Sequence, residues 1–177
     1  MIQAEGIFAE GIFAGGATKP YIEEIYDSDG NLIDAKLYGY TKIRDSAFYN
    51  CVNLALTSLP EGITSIGDSA FCNCANLALT SLPEGITSIY DSAFYNCENL
   101  ALTSLPEGIT SIGYYAFSRC TGLTSLTFLG TPTSIASSAF QDCTNLTTIN
   151  VPWAEGAVAD APWGATNATI NYNYTGG

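Results

Sequence analysis

Isoleucine returns at positions 43, 66, 89, 112 and 135, always 23 residues on, and four further columns keep step with it. They are Ala47, Ala70, Ala93, Ala116 and Ala139; Phe48, Phe71, Phe94, Phe117 and Phe140; Cys51, Cys74, Cys97, Cys120 and Cys143; and Leu54, Leu77, Leu100, Leu123 and Leu146. The string NLALTSLPEGITSI stands unchanged at 53–66, 76–89 and 99–112, so one unit has been copied. A unit this short cannot enclose a core. Each copy must bury its apolar face against the next, which predicts a repeat solenoid.

Within a unit, Leu-Thr-Ser-Leu and Ile-Thr-Ser-Ile mix apolar and small polar residues as short half-buried strands do, and Pro-Glu-Gly between them is a turn signal. The remaining stretch, Asp-Ser-Ala-Phe-x-x-Cys, opens with a capping pair and has room for about one helical or 3₁₀ turn. The expected coil is therefore strand, turn, strand, helical turn. About five such coils, stacked at the ~4.8 Å spacing of paired strands, make a β-rich body roughly 24 Å long.

Stacked coils leave an apolar face at each end that needs a cover. Towards the C-terminus, Trp153 and Trp163 bracket a loop leading into ATINYNY, where Ile170, Tyr172 and Tyr174 alternate with polar residues as on an edge strand. Towards the N-terminus, YDSDGNLIDAKLYGY reads as a hairpin turning at Asp29-Gly30. Before it, Ala-Glu-Gly-Ile-Phe occurs twice and is followed by Gly15, Gly16 and Pro20. The pairs Ile7-Phe8 and Ile12-Phe13 are more apolar than a free linker needs, which makes them a candidate assembly contact. The chain thus divides into a tail at 1–21 that attaches or caps, a solenoid with its hairpin at 22–152, and a cap at 153–177.

The unit C-x-x-L-T-S-L-x-x-x-x-x-P-T-S-I-x-x-x-A-F, best matched at 120–140, resembles the BspA-like (Treponema-type) leucine-rich repeats of bacterial surface proteins. The resemblance covers roughly 35–152 and implies a leucine-rich-repeat fold that presents a surface for adhesion. The three middle units depart from it. They read Leu-Ala-Leu-Thr-Ser-Leu where Leu123–Phe128 reads Leu-Thr-Ser-Leu-Thr-Phe, so one apolar residue moves by a single place. Such a shift turns a strand side chain to the opposite face unless a bulge absorbs it.

Composition narrows the function. Hydrophobic residues make up 47% of the 177-residue chain and charged residues 12%, which is too apolar for disorder. No uncharged apolar run reaches the ~20 residues of a membrane helix, so membrane insertion is not expected. Five basic residues against seventeen acidic ones give a formal charge of -12, and a polyphosphate backbone would be repelled. Histidine is absent, which excludes serine-histidine and cysteine-histidine catalysis. The opening MIQAEGIFAEGIFAGG has no basic segment and carries Glu5 and Glu10 where a signal peptide would be apolar. No export signal is expected there.

Several side chains invite a chemical role. The five column cysteines are expected to be buried free thiols, because they run inside an apolar ladder. Cys72 lies off the column, and Cys72-Asn73-Cys74 has the wrong spacing for a C-x-x-C site, so an exposed or half-exposed thiol with no task is expected there. Asp45, Asp68 and Asp91 form one acidic column and Glu61, Glu84 and Glu107 another. A solvated stripe is preferred over a calcium site for both, since no loop has a known calcium spacing. No metal or other cofactor is expected. Tyr49 and Tyr95 follow the phenylalanine column, while Tyr90, Tyr114 and Tyr115 replace the Gly, Asp and Ser of sister units. A copied unit varies where its surface is used, and tyrosine gives rigid contact area with a polar tip. These five are the candidate ligand-binding residues, with edge packing or neutral surface variation as the alternative.

The expected function is a non-enzymatic scaffold that recognises a protein or glycan on a cell surface. The ending VPWAEGAVADAPWGATNATINYNYTG is similar to tails of repeat proteins in phages of gut bacteria. With no export signal read, this favours a virion or phage-tail accessory that contacts other virion proteins through residues 1–21. A bacterial cell-surface adhesin and a purely structural assembly subunit are the alternatives.

Overall fold

The computed structural model describes residues 20–176. In each coil the isoleucine column turns inward and the residue before it stays at the surface, and each such pair forms a two-residue strand. These strands are β3 (Lys42–Ile43), β4 (Ser65–Ile66), β5 (Ser88–Ile89), β7 (Ser111–Ile112) and β9 (Ser134–Ile135). They pair in parallel in the order β3-β4-β5-β7-β9, always 23 residues apart, so Ser65 faces Ser88 and Ile66 faces Ile89. A second parallel sheet runs β11-β10-β8-β6, from β6 (Ser104–Leu105), β8 (Ser125–Phe128), β10 (Thr148–Asn150) and β11 (Thr169–Asn171). The result is a leucine-rich-repeat solenoid of about six turns.

The expected helical turn is not there. Among the described residues there is no helix, and Asp-Ser-Ala-Phe-x-x-Cys is instead a run of tight turns. Ser46 and Asn50 take left-handed φ values of 58° and 60°, repeated at Ser69, Asn73, Ser92 and Asn96. This conformation is mild for Asn and available to Ser. Its effect is to point alternate amides in different directions. The N–H groups of Ala47, Tyr49 and Cys51 close local turns on the carbonyls of Arg44, Ser46 and Phe48 at 3.1–3.2 Å. Those of Ser46, Phe48 and Asn50 donate to Asp68, Ala70 and Cys72 of the next coil at 2.7–2.8 Å. A helix would consume these donors internally, whereas the turn run uses half of them to bind coil to coil.

Between the two sheets lies an aromatic column. Phe48, Phe71, Phe94, Phe117 and Phe140 stack with ring centroids 5.1, 5.4, 5.4 and 5.2 Å apart. All five are fully buried. The shifted leucines of the middle units are buried too: Leu54, Leu56 and Leu59 face the core, as do Leu77, Leu79 and Leu82. The one-residue displacement is absorbed by giving up the strand. No described strand covers 54–59 or 77–82, and only Ser104–Leu105 recovers pairing, with Thr127–Phe128.

Five coils were expected, and a sixth turn follows them. Trp163 stands one 23-residue step after Phe140, is fully buried, and accepts the Phe140 N–H at 2.9 Å. β11 pairs with β10 in register from Thr148 and Thr169, extending the second sheet by one strand. Phe128, Trp153 and Trp163 pack edge-on or tilted over this end at centroid distances of 5.3–6.3 Å. At the other end β1 (Tyr21–Tyr26) and β2 (Leu32–Tyr38) form an antiparallel hairpin. Asp27 holds its turn by accepting the Asp29 and Asn31 amides, and Gly30 supplies a φ of 81°. The hairpin is joined to the first coil by the Ala55 N–H, which donates to Ile33 at 2.8 Å, and it buries Ala35 and Leu37.

Candidate functional site: a tyrosine-walled groove

Where β5 ends, Tyr90 occupies the position held by Gly67, Gly113 and Ala136 in other coils. One coil further, Tyr114 stands where the acidic column would place aspartate. Both rings project into solvent, at 51% and 57% exposure. Beside them Gly113 and Ala136 leave the floor low, and an open groove of about 420 Å³ crosses four coils over Ser111 and Ser134. Two carboxylates complete it, Asp91 and Asp160.

The aspartate column has a structural task. The Asp45 carboxylate accepts the Asp68 N–H at 2.9 Å, that of Asp68 accepts the Asp91 N–H at 3.0 Å, and that of Asp91 accepts the Tyr114 N–H at 2.8 Å. Each carboxylate caps the turn of the coil after it, in the way an N-cap aspartate satisfies an amide. Among the described residues no group of three or more Cys, Asp or Glu side chains is placed to hold a metal ion. Asp160 continues the same column beyond Tyr114 and Ser137. Inside its divergent coil it was not visible as a site residue.

Of the five candidate tyrosines, the fold brings Tyr90 and Tyr114 together at the groove. Tyr115, at 43% exposure, adjoins them, and with Arg119 it takes the left-handed conformation that Ser and Asn hold in sister coils, at φ 56° and 59°. Tyr49 and Tyr95 lie outside the groove lining, on the column after the phenylalanines. There the Arg119 guanidinium lies 5.6 Å from the Tyr95 ring centre and 3.7 Å from the Asp142 carboxylate. Ile7, Phe8, Ile12 and Phe13 lie outside the described residues.

The cysteines make no disulfide and are free thiols. The column does more than fill space. The Cys74, Cys97, Cys120 and Cys143 thiols each donate to the carbonyl of the phenylalanine in the preceding coil, at 2.9–3.0 Å. Burial pushes these four thiols up from the ordinary range, Cys143 to about 12. Cys72 was expected at the surface and is instead buried. It sits on the Tyr49–Tyr95 column one coil from each. Such thiols are poor nucleophiles.

Parallel coils of fixed length, with leucine, isoleucine, phenylalanine and cysteine each running as an internal column, define a leucine-rich-repeat protein. More specifically, the chain belongs to the BspA type leucine-rich-repeat family, whose model matches residues 41–156 in six copies. Among solved structures it is similar to a leucine-rich-repeat protein of T. pallidum, at 26% identity and a TM-score of 0.61, covering 86% of this chain and 79% of that one. A leucine-rich-repeat protein from Bacteroides ovatus matches at 20% identity and a TM-score of 0.45, over 77% of this chain and 47% of that one. The pneumococcal vaccine antigen PcpA matches at 21% identity and a TM-score of 0.48, over 73% and 36%. No curated protein matches the sequence. Among the described residues, no helix is long and apolar enough to cross a membrane.

Proposed function

We propose that this protein is a non-enzymatic recognition scaffold acting at a cell surface or outside the cell, where its solenoid presents a binding face to a protein or glycan. The observation that carries this reading is the groove between Tyr90 and Tyr114. It is the place where near-identical coils differ most in side-chain size, and the two rings are exposed although the fold does not need them. Family membership supports the scaffold role, and the surface setting follows the bacterial surface proteins in which such repeats occur. The phage-tail reading rests on the C-terminal sequence likeness and the absence of an export signal in the opening segment, and family membership adds nothing to it. Attachment through Ile7, Phe8, Ile12 and Phe13 serves either setting.

The test is a binding screen of the labelled chain on glycan arrays and on panels of cell-surface proteins, run beside Tyr90→Ala/Tyr114→Ala. A ligand bound by the parent chain and lost by the double variant supports the groove. A ligand bound equally by both places recognition elsewhere on the solenoid.

A further inference from the structure

We infer that the groove recognises positive charge, and that its partner is a protein presenting lysine or arginine side chains. This deepens the scaffold reading and rests on it. Three observations point the same way. First, the groove walls are two exposed tyrosine rings and its only charged lining groups are Asp91 and Asp160, with no lysine or arginine among the lining residues. An aromatic face with nearby carboxylates is the arrangement that attracts a cation. Second, both carboxylates have capacity to spare. One Asp91 oxygen accepts the Tyr114 amide, no other hydrogen bond occupies that carboxylate among the described residues, and no described hydrogen bond engages the Asp160 side chain.

Third, the molecule already uses this chemistry on itself. Arg119 lies over the Tyr95 ring at 5.6 Å and reaches the Asp142 carboxylate at 3.7 Å, so a tyrosine and an aspartate from neighbouring coils hold one guanidinium between them. The groove offers two such tyrosines and two such aspartates with no internal cation to fill them. The chain's formal charge of -12 adds a long-range field that draws a basic partner in and turns an acidic one away. A neutral glycan would stack on the rings yet leave the field unused, and this decides for the basic partner.

The test titrates the full chain with an arginine-rich peptide, a glutamate-rich peptide of equal length and a neutral oligosaccharide. Saturable binding of the arginine-rich peptide alone is expected, weakening as salt rises. Tyr90→Ala, Tyr114→Ala and Asp160→Asn should each weaken it roughly tenfold, the size of one well-formed cation–ring or charge-assisted contact. Glu107→Gln removes the same charge from an exposed turn away from the groove and should change binding by less than about twofold. Thermal melting of each variant confirms that it folds. If Glu107→Gln and Asp160→Asn have equal effects, the peptide reads only net charge and the inference is overturned. Oligosaccharide binding that is lost in the tyrosine variants also overturns it, while leaving the scaffold reading in place.

Discussion

Phe94 is the ring on which the stacking account can be tested most sharply. It is fully buried, with centroids 5.4 Å from Phe71 and 5.4 Å from Phe117 and ring planes within 3° and 11° of parallel. The coil spacing around it is fixed by backbone hydrogen bonds, the Phe71 N–H to Ala93 and the Phe94 N–H to Ala116, both at 2.8 Å. Neighbouring rings therefore cannot close into a void. Phe94→Ala belongs in the upper part of the range for buried phenylalanine, about 4–5 kcal/mol, against a typical domain stability of ~5–15 kcal/mol. Phe94→Leu keeps much of the volume and loses the ring stacking, for about 1–2 kcal/mol. Guanidinium unfolding should be followed both by far-ultraviolet circular dichroism and by tryptophan fluorescence. Trp153 and Trp163 report the C-terminal end alone. Because coils are coupled only to their neighbours, weakening a central one should pull the two transitions apart. A cost for Phe94→Ala below about 1.5 kcal/mol, with coincident transitions, would refute the continuous buried column.

Other consequences follow from the same geometry. Unfolded thiols release their protons near pH ~8.5 whereas the buried ones hold theirs, so stability is complete below that pH and falls as pH rises above it, by about 1.4 kcal/mol per unit per cysteine. Denaturation midpoints at pH 7 and pH 10 should show the loss, and Cys97→Ala should make it shallower; an unchanged slope contradicts the assignment. Asp68→Ala removes the acceptor for the Asp91 amide and should cost about 1 kcal/mol, whereas Asp68→Asn keeps an oxygen and relieves like-charge repulsion, leaving the melting temperature nearly unchanged. A Cβ on Gly130 would collide with the Glu107 carbonyl oxygen. Gly130→Ala should therefore destabilise by about 1–3 kcal/mol in the same denaturation assay.

The register of the solenoid was legible because a 23-residue period places identical side chains one above another, and the isoleucine, phenylalanine, cysteine and leucine columns state it five times over. The turn was not legible. Asp-Ser-Ala-Phe resembles a helix cap, and only neighbouring coils that accept the Phe48 and Asn50 amides make left-handed Ser46 and Asn50 the better solution. The aspartate column looked like a solvated stripe because its partners are backbone amides, which no residue pattern reveals. The sixth turn hid behind substitutions: Ala161-Pro162-Trp163 stands where the preceding coil has Ser138-Ala139-Phe140, and with it Asp160 escaped notice. Tyr90 and Tyr114 were singled out as departures from the copied unit, but that they share a groove depends on the 24-residue offset between them, one coil up and one residue along.

Amide hydrogen exchange tests the stacked solenoid most directly. The Phe48, Phe71, Phe94 and Phe117 N–H groups each donate to the following coil at 2.7–2.8 Å. They should exchange among the slowest amides of the chain, far behind that of Gly62 in its exposed turn. Phenylalanine amides that exchange as fast as Gly62 would mean that the coils do not stack, and the groove built across four of them would go as well.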